Sequence, residues 1–168
     1  MRIKLQQSTI KTVKDFLNGN SVANRGKFDG SKRNQAVGLA CELEAHNYLL
    51  GYYPILKNGF DGGIDFVYKG LTIDVKSMER KGYVKDYYVN NFIRLQERYN
   101  TDVLLFCNYN NKERVVELCG WIYKKELNDK AKLYKAGELR TRSDGSTFEL
   151  TVDNYEIGMN QLRSINEI

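Results

Sequence analysis

The chain has 168 residues, of which 42% are hydrophobic and 28% charged, with a single proline. This is the composition of one globular domain with its own core, and it excludes a disordered or fibrous chain. Net charge is +5, no apolar run approaches a membrane-spanning length, and Met1 to Gln7 lacks the apolar stretch of a signal peptide. A cytoplasmic protein without membrane contact is therefore expected.

The charge is uneven. Residues 1–33 carry eight Lys and Arg against two acids, so residues 34–168 sum to −1. A basic leader on a near-neutral domain suits a polyanionic partner, although a solvated lysine-rich surface has the same composition. The expected organisation is a basic leader and loop over 1–33, followed by one domain over 34–168.

In chain order, Ile10, Val13, Phe16 and Leu17 predict a short amphipathic helix within 3–17. Residues 18–32 are rich in Gly, Asn and Ser and read as a loop, in which Arg25, Lys27, Lys32 and the adjoining Arg33 are candidates for gripping phosphates. A helix is predicted from Asn34 to Leu50, stopped by Gly51. Gly38, Cys41, Glu42, Ala45 and Leu49 share one face of it, placing Glu42 inward in preference to Glu44; His46 reads as a surface residue. Tyr53 to Lys57 is expected as a first strand. The three cysteines, Cys41, Cys107 and Cys119, lack metal-ligand spacing and read as small apolar residues.

The stretch from Asp61 to Lys76 reads as a hairpin turning at Lys69-Gly70. With those two residues as the whole loop, Phe66 faces Ile73, Asp65 faces Asp74, and Gly63 faces Lys76. Asp65, Asp74 and Lys76 then share one face, while Ile64, Phe66, Tyr68, Leu71, Ile73 and Val75 cover the other. Directly opposed like charges destabilise a sheet by about 0.2–1 kcal/mol. A hard divalent cation offsets that, since Mg²⁺ takes carboxylate oxygens together with water and phosphate oxygens. Lys76 beside the ion would orient a water or stabilise charge on a phosphodiester under attack.

Arg80, Lys81 and Lys85 alternate with Tyr83, Tyr87 and Tyr88, a mixture compatible with binding nucleic acid and equally with an ordinary loop. A second helix is predicted over Val89 to Tyr99, with Phe92, Leu95 and Tyr99 inward and Gln96 toward the hairpin. Val103 to Cys107 is a buried central strand, Arg114 to Ile122 another strand, and 123–135 a lysine-rich helix. Residues 138–142 and 147–152 bracket a C-terminal β-hairpin, and the tail from Tyr155 ends in a turn or short helix.

Gly63-Ile64-Asp65, a hairpin, then Ile73-Asp74-Val75-Lys76 resemble the bipartite motif of the PD-(D/E)XK nuclease superfamily, with Gly-Gly-Ile-Asp in place of the usual proline. Gly38-x-x-x-Glu42-x-x-Ala45 is similar to the first-motif helix of its small resolvase-like and restriction-endonuclease-like members, of phage or mobile-element type. The resemblance covers about 34–122. It implies an α/β (mixed α+β) fold with an αβββαβ core, helices flanking a central sheet, and the C-terminal hairpin outside it. It further implies a Mg²⁺-dependent DNA endonuclease, with Mn²⁺ as a substitute. Asp65, Asp74 and Glu42 would hold the metal, Lys76 would be the catalytic lysine, and Gln96 an accessory group. A homodimer would suit cutting of two strands. Two rivals stand beside it. A non-catalytic nucleic-acid-binding protein with a structural Asp/Lys cluster has no use for paired carboxylates, and a two-carboxylate glycosidase leaves Lys76 unexplained.

Overall fold

The computed structural model describes residues 1–20, 30–59, 62–141 and 145–168. Strand β1 (Arg2–Lys4) and helix α1 (Gln7–Gly19) precede helix α2 (Lys32–Leu50). Strands β2 (Phe66–Tyr68) and β3 (Leu71–Arg80) form the expected hairpin, and β4 (Val89–Ile93) leads through a 3-10 turn at Arg94–Gln96 to β5 (Val103–Asn110) and β6 (Val115–Tyr123). A short helix α3 (Leu127–Lys130), strands β7 (Lys132–Tyr134), β8 (Leu139–Thr141), β9 (Thr147–Glu149) and β10 (Asn154–Gly158), and 3-10 turns at Lys124–Glu126, Met159–Gln161 and Ile165–Glu167 complete the chain.

The fold is mixed α/β, built on a five-stranded mixed sheet in the order β1-β6-β5-β3-β2. Its centre is a parallel pair, β3 against β5, flanked by antiparallel neighbours. One face is covered by α1 and α2, the other by a second sheet in the order β4-β10-β7. The alternation on β5 divides the core accordingly. Val103, Leu105 and Cys107 pack with the helices, while Leu104 and Phe106 join Phe92, Tyr155 and Ile157 of the second sheet. Since β5 is buried on both faces, it reads as an unbroken apolar run, as a central strand should.

Several expectations change. A strand not expected from the sequence, β1, pairs with β6, and Thr9, Val13 and Leu17 of α1 are buried. No strand forms over 53–57. The helix predicted over 89–99 is strand β4 and a 3-10 turn. Helical spacing would bury Leu95, but it is 49% exposed, whereas Asn90 and Phe92, two residues apart, are both 1% exposed. The period is two. The lysine-rich segment after β6 is helical only to Lys130 before β7 begins.

Helix α2 starts at Ser31, whose hydroxyl accepts from the Asn34 N–H, and ends at Gly51 in the left-handed conformation, φ 82°. His46, expected at the surface, is buried; its Nδ1 lies 2.8 Å from the Tyr52 carbonyl, and its ring meets Tyr52 and Phe66 edge-on. The deeply buried acid of α2 is Glu44, 1% exposed, which accepts hydrogen bonds from Thr9 and Tyr53 and so ties α1 and the following loop to α2. Burial raises its carboxyl pKa, against the opposing pull of the Thr9 and Tyr53 hydroxyls.

A pH-dependent effect follows from that raised value. The folded chain holds this proton more tightly than the unfolded chain, so ionised Glu44 costs stability above its folded pKa, and the cost disappears as pH falls below the ordinary value. Glu44→Gln should melt above the parent at pH 8, with the gap closing toward pH 4. A pH-independent loss in Tm would show that the carboxylate's hydrogen bonds outweigh its burial.

Candidate functional site

On β3, the odd-numbered residues face the helices. Ile73 belongs to the helix-side core, and a Cβ on Gly38 would stand 3.8 Å from Ser77 Oγ. The even-numbered Asp74 and Lys76 therefore face the second sheet. Asp74 is 3% exposed, and the Lys76 ammonium lies 2.6 Å from its Oδ1 and 5.6 Å from the centroid of the Phe92 ring. Two charges are thus held largely out of water as a pair, and removing either costs the other its ion-pair partner.

The hairpin register is as predicted for Phe66↔Ile73, Val67↔Thr72 and Tyr68↔Leu71. Beyond Phe66 the ladder ends. The Asp65 N–H donates to the Ile73 carbonyl at 2.9 Å, and Asp65 Oδ2 accepts the Val75 N–H at 2.6 Å. Strand β2 is only three residues long, so the Asp65 carboxylate takes the place of a missing strand carbonyl on β3. One oxygen of Asp65 consequently lies against the Asp74–Val75 peptide. The sequence places Asp65 opposite Asp74 across the hairpin; in the structure the Asp65 carboxylate caps the Val75 N–H at the end of the ladder.

Gly63 does not face Lys76 in a ladder. It is buried with φ 82°, its carbonyl accepts from Thr101 Oγ1, and a Cβ there would meet Tyr99 at 2.9 Å. Tyr99 walls this side of the hairpin.

Lys124, which the sequence did not single out, completes the cluster. Its ammonium donates to the carbonyls of Gln96 and Tyr99. Burial lowers its pKa, opposed by the nearby Asp74 and Glu97 carboxylates and reinforced by Lys76. Two lysines thus stand near one buried aspartate. The signal that finds Lys124 is register: Tyr123 pairs with Val103 at the start of β5, and the Lys124 N–H donates to the Asp102 carbonyl at 2.8 Å. That pairing joins residues twenty apart in sequence, beyond the reach of local pattern.

Glu42 is placed differently from expectation. Helix α2 covers the Ile73, Leu105 and Cys107 face, across the sheet from Asp74 and Lys76, and Glu42 is half-buried there. Among the described residues, no group of three or more acid, histidine or cysteine side chains is gathered to hold a metal ion. Glu42, Asp65 and Asp74 are thus not gathered into one three-carboxylate group. Gln96 stands in a 3-10 turn rather than a helix and contributes its backbone carbonyl to Lys124.

Of the basic candidates, Arg25 and Lys27 lie outside the described residues. Lys32 is exposed on the first turn of α2, and Arg33 forms a bidentate pair with Glu79 that occupies its guanidinium. Arg80 donates to Asn108 Oδ1 at 3.1 Å and the Val89 carbonyl at 2.7 Å, with its guanidinium over the Tyr88 ring. Lys81 and Lys85 are exposed, and the Lys85 ammonium lies 5.6 Å from the Tyr87 ring centroid. No helix among the described residues is long and apolar enough to cross a membrane.

No family model, curated protein or solved structure matches the chain significantly. The functional reading therefore rests on the residues and their arrangement.

Proposed function

We propose that this protein is a divalent-metal-dependent DNA endonuclease whose reacting centre is Asp65, Asp74 and Lys76. The observation that carries the reading is the Asp74–Lys76 pair on the central strand β3, with the Asp65 carboxylate against the peptide that follows Asp74. The chain order supports it: a helix, a hairpin, a crossover, a strand parallel to β3 and then an antiparallel strand. This keeps most of the αβββαβ plan of the PD-(D/E)XK nucleases. The crossover runs through β4 where that plan has a helix, and no strand forms over 53–57, where the first of the three is expected.

The donor set fits magnesium in kind. Two carboxylates supply hard oxygens, and Mg²⁺ is commonly bound through one or two carboxylates with water and substrate phosphate completing its shell. Asp65 and Asp74 would hold the ion, which would polarise the phosphodiester and its attacking water. Lys76 keeps its ammonium in a partly desolvated position, where a fixed positive charge is worth more to a developing phosphorane than it would be in water. Lys124 holds the Gln96–Tyr99 segment against the hairpin and adds positive charge near Asp74.

The reading is tested by incubating the chain with supercoiled plasmid and labelled duplexes in Mg²⁺, Mn²⁺ or EDTA. Cleavage should require the metal and fall by about 10²-fold or more in Asp74→Asn, in line with the loss of one electrostatic contact to a transition state. One observation favours a second reading. Asp74 and Lys76 neutralise each other as an ion pair, as a purely structural cluster in a nucleic-acid-binding protein would. In that case Asp74→Asn would lower Tm, no preparation would cleave, and DNA binding would be unchanged.

A further inference from the structure

We infer that the groove at the far end of β3 binds a single-stranded stretch of polynucleotide and feeds it toward Lys76. The inference rests on the nuclease reading for its purpose, but its evidence is separate. Arg80 and Met78 share a face of β3 with Lys76 and Asp74, with no irregularity in the pairing to β5 between them. Four residues of strand separate Lys76 from Arg80 by about 13 Å. At Arg80 the strand borders an open groove of about 720 Å³ that is also lined by Arg140 and Phe148 of the β8–β9 hairpin and by Tyr87 and Tyr88.

The chemistry of the lining matches an unpaired strand. Arg80, which lines the groove, is bonded to neutral acceptors: the Asn108 amide oxygen, the Val89 carbonyl and the Met78 sulfur. Lys81 stands exposed beside it. Among the described lining residues the one acid is Glu156, and Arg140 holds it in a bidentate pair at 3.0 and 2.5 Å, so that it offers a phosphate little repulsion. Tyr87 is 66% exposed and stands edge-on to Tyr88 at 5.0 Å. An exposed ring face gains little from a duplex, whose bases are already stacked, but it can stack an unpaired base of any identity. Cations that track phosphates, next to rings that accept bases, are how proteins hold single strands without reading sequence.

The experiment is fluorescence anisotropy of the full chain in EDTA, which removes cleavage from the readout, with labelled oligo-dT, oligo-U and a hairpin duplex of equal nucleotide count. Single strands should bind at least tenfold more tightly than the duplex, with the two oligomers separating DNA from RNA as the preferred strand. Tyr87→Ala, at an exposed site that does not threaten folding, should weaken single-strand binding about tenfold and leave duplex binding unchanged. Lys81→Ala should weaken both and reduce the salt slope by about 1, the signature of one lost phosphate contact. Equal affinity for duplex and single strand, or an unaltered Tyr87→Ala with an intact circular dichroism spectrum, would overturn the inference. Because cleavage is measured apart, a nuclease that fails this test loses its proposed groove alone, and a single-strand binder that never cleaves loses its nuclease assignment alone.

Discussion

Lys76→Ala is expected to lower metal-dependent cleavage by about 10³-fold, the range in which a positioned proton-transfer or charge-stabilising group acts. The same change should cost about 3 kcal/mol of stability, because it removes the ammonium 2.6 Å from the Asp74 carboxylate, which is 3% exposed. Loss of activity alone would therefore be ambiguous, and Lys76→Arg resolves it. The guanidinium restores a positive partner for Asp74, so most of the Tm should return. Cleavage should stay at least tenfold below the parent, since a planar guanidinium cannot reproduce the compact ammonium or exchange its proton. Chemical denaturation and single-turnover cleavage, measured on the same preparations, separate the two roles. Parent-level cleavage by folded Lys76→Ala would remove Lys76 from the reaction altogether.

Lys76 was legible in the sequence because its position depends only on local rules: a two-residue turn, alternation along a strand, and one apolar face. The same rules place Phe66 against Ile73 and make Val103 to Cys107 a central strand, and the structure has both. What was not legible depended on partners distant in the chain. Phe92, Leu95 and Tyr99 fit helical spacing, yet the segment from Val89 pairs with β10 some sixty residues later, and that pairing turns it into a strand. Glu42 and Glu44 differ in the sequence only by which side of α2 they occupy. Their environments are set by where α1 and Tyr53 dock, and that docking buries Glu44. Asp65 is expected to face Asp74 across the hairpin, but its carboxylate accepts the Val75 N–H beyond the early end of β2, a strand end that alternation alone does not announce. Lys124 enters the cluster through the β5–β6 register, and nothing in Lys124-Lys125 distinguishes it from a solvated pair.

Gly63→Ala tests whether the hairpin and the Lys124 side of the site act as one unit. Gly63 has φ 82°, a conformation that costs an alanine energy in any surroundings, and its new methyl would stand 2.9 Å from the Cβ and ring of Tyr99, which cannot swing away as the tip of a flexible chain could. Together these should cost about 3 kcal/mol. Gly62 separates the two causes. Its φ is 80°, but nothing lies within 4 Å of a Cβ there, so Gly62→Ala should pay for strain alone, about 1 kcal/mol. The functional consequence runs through Tyr99. Its carbonyl accepts the Lys124 ammonium, and Gly63 is two residues from Asp65, so pushing the ring aside moves groups on both flanks of Asp74. A displacement of about 1 Å at a reacting centre can cost 10²-fold in rate. Gly63→Ala should therefore lose about 10²-fold in cleavage at a temperature where it remains folded, while Gly62→Ala cleaves within a fewfold of the parent. Equal activity in the two variants would mean that the Tyr99 wall supports the fold without positioning Asp65 or Lys124, and the site would then reduce to the Asp74–Lys76 pair on β3.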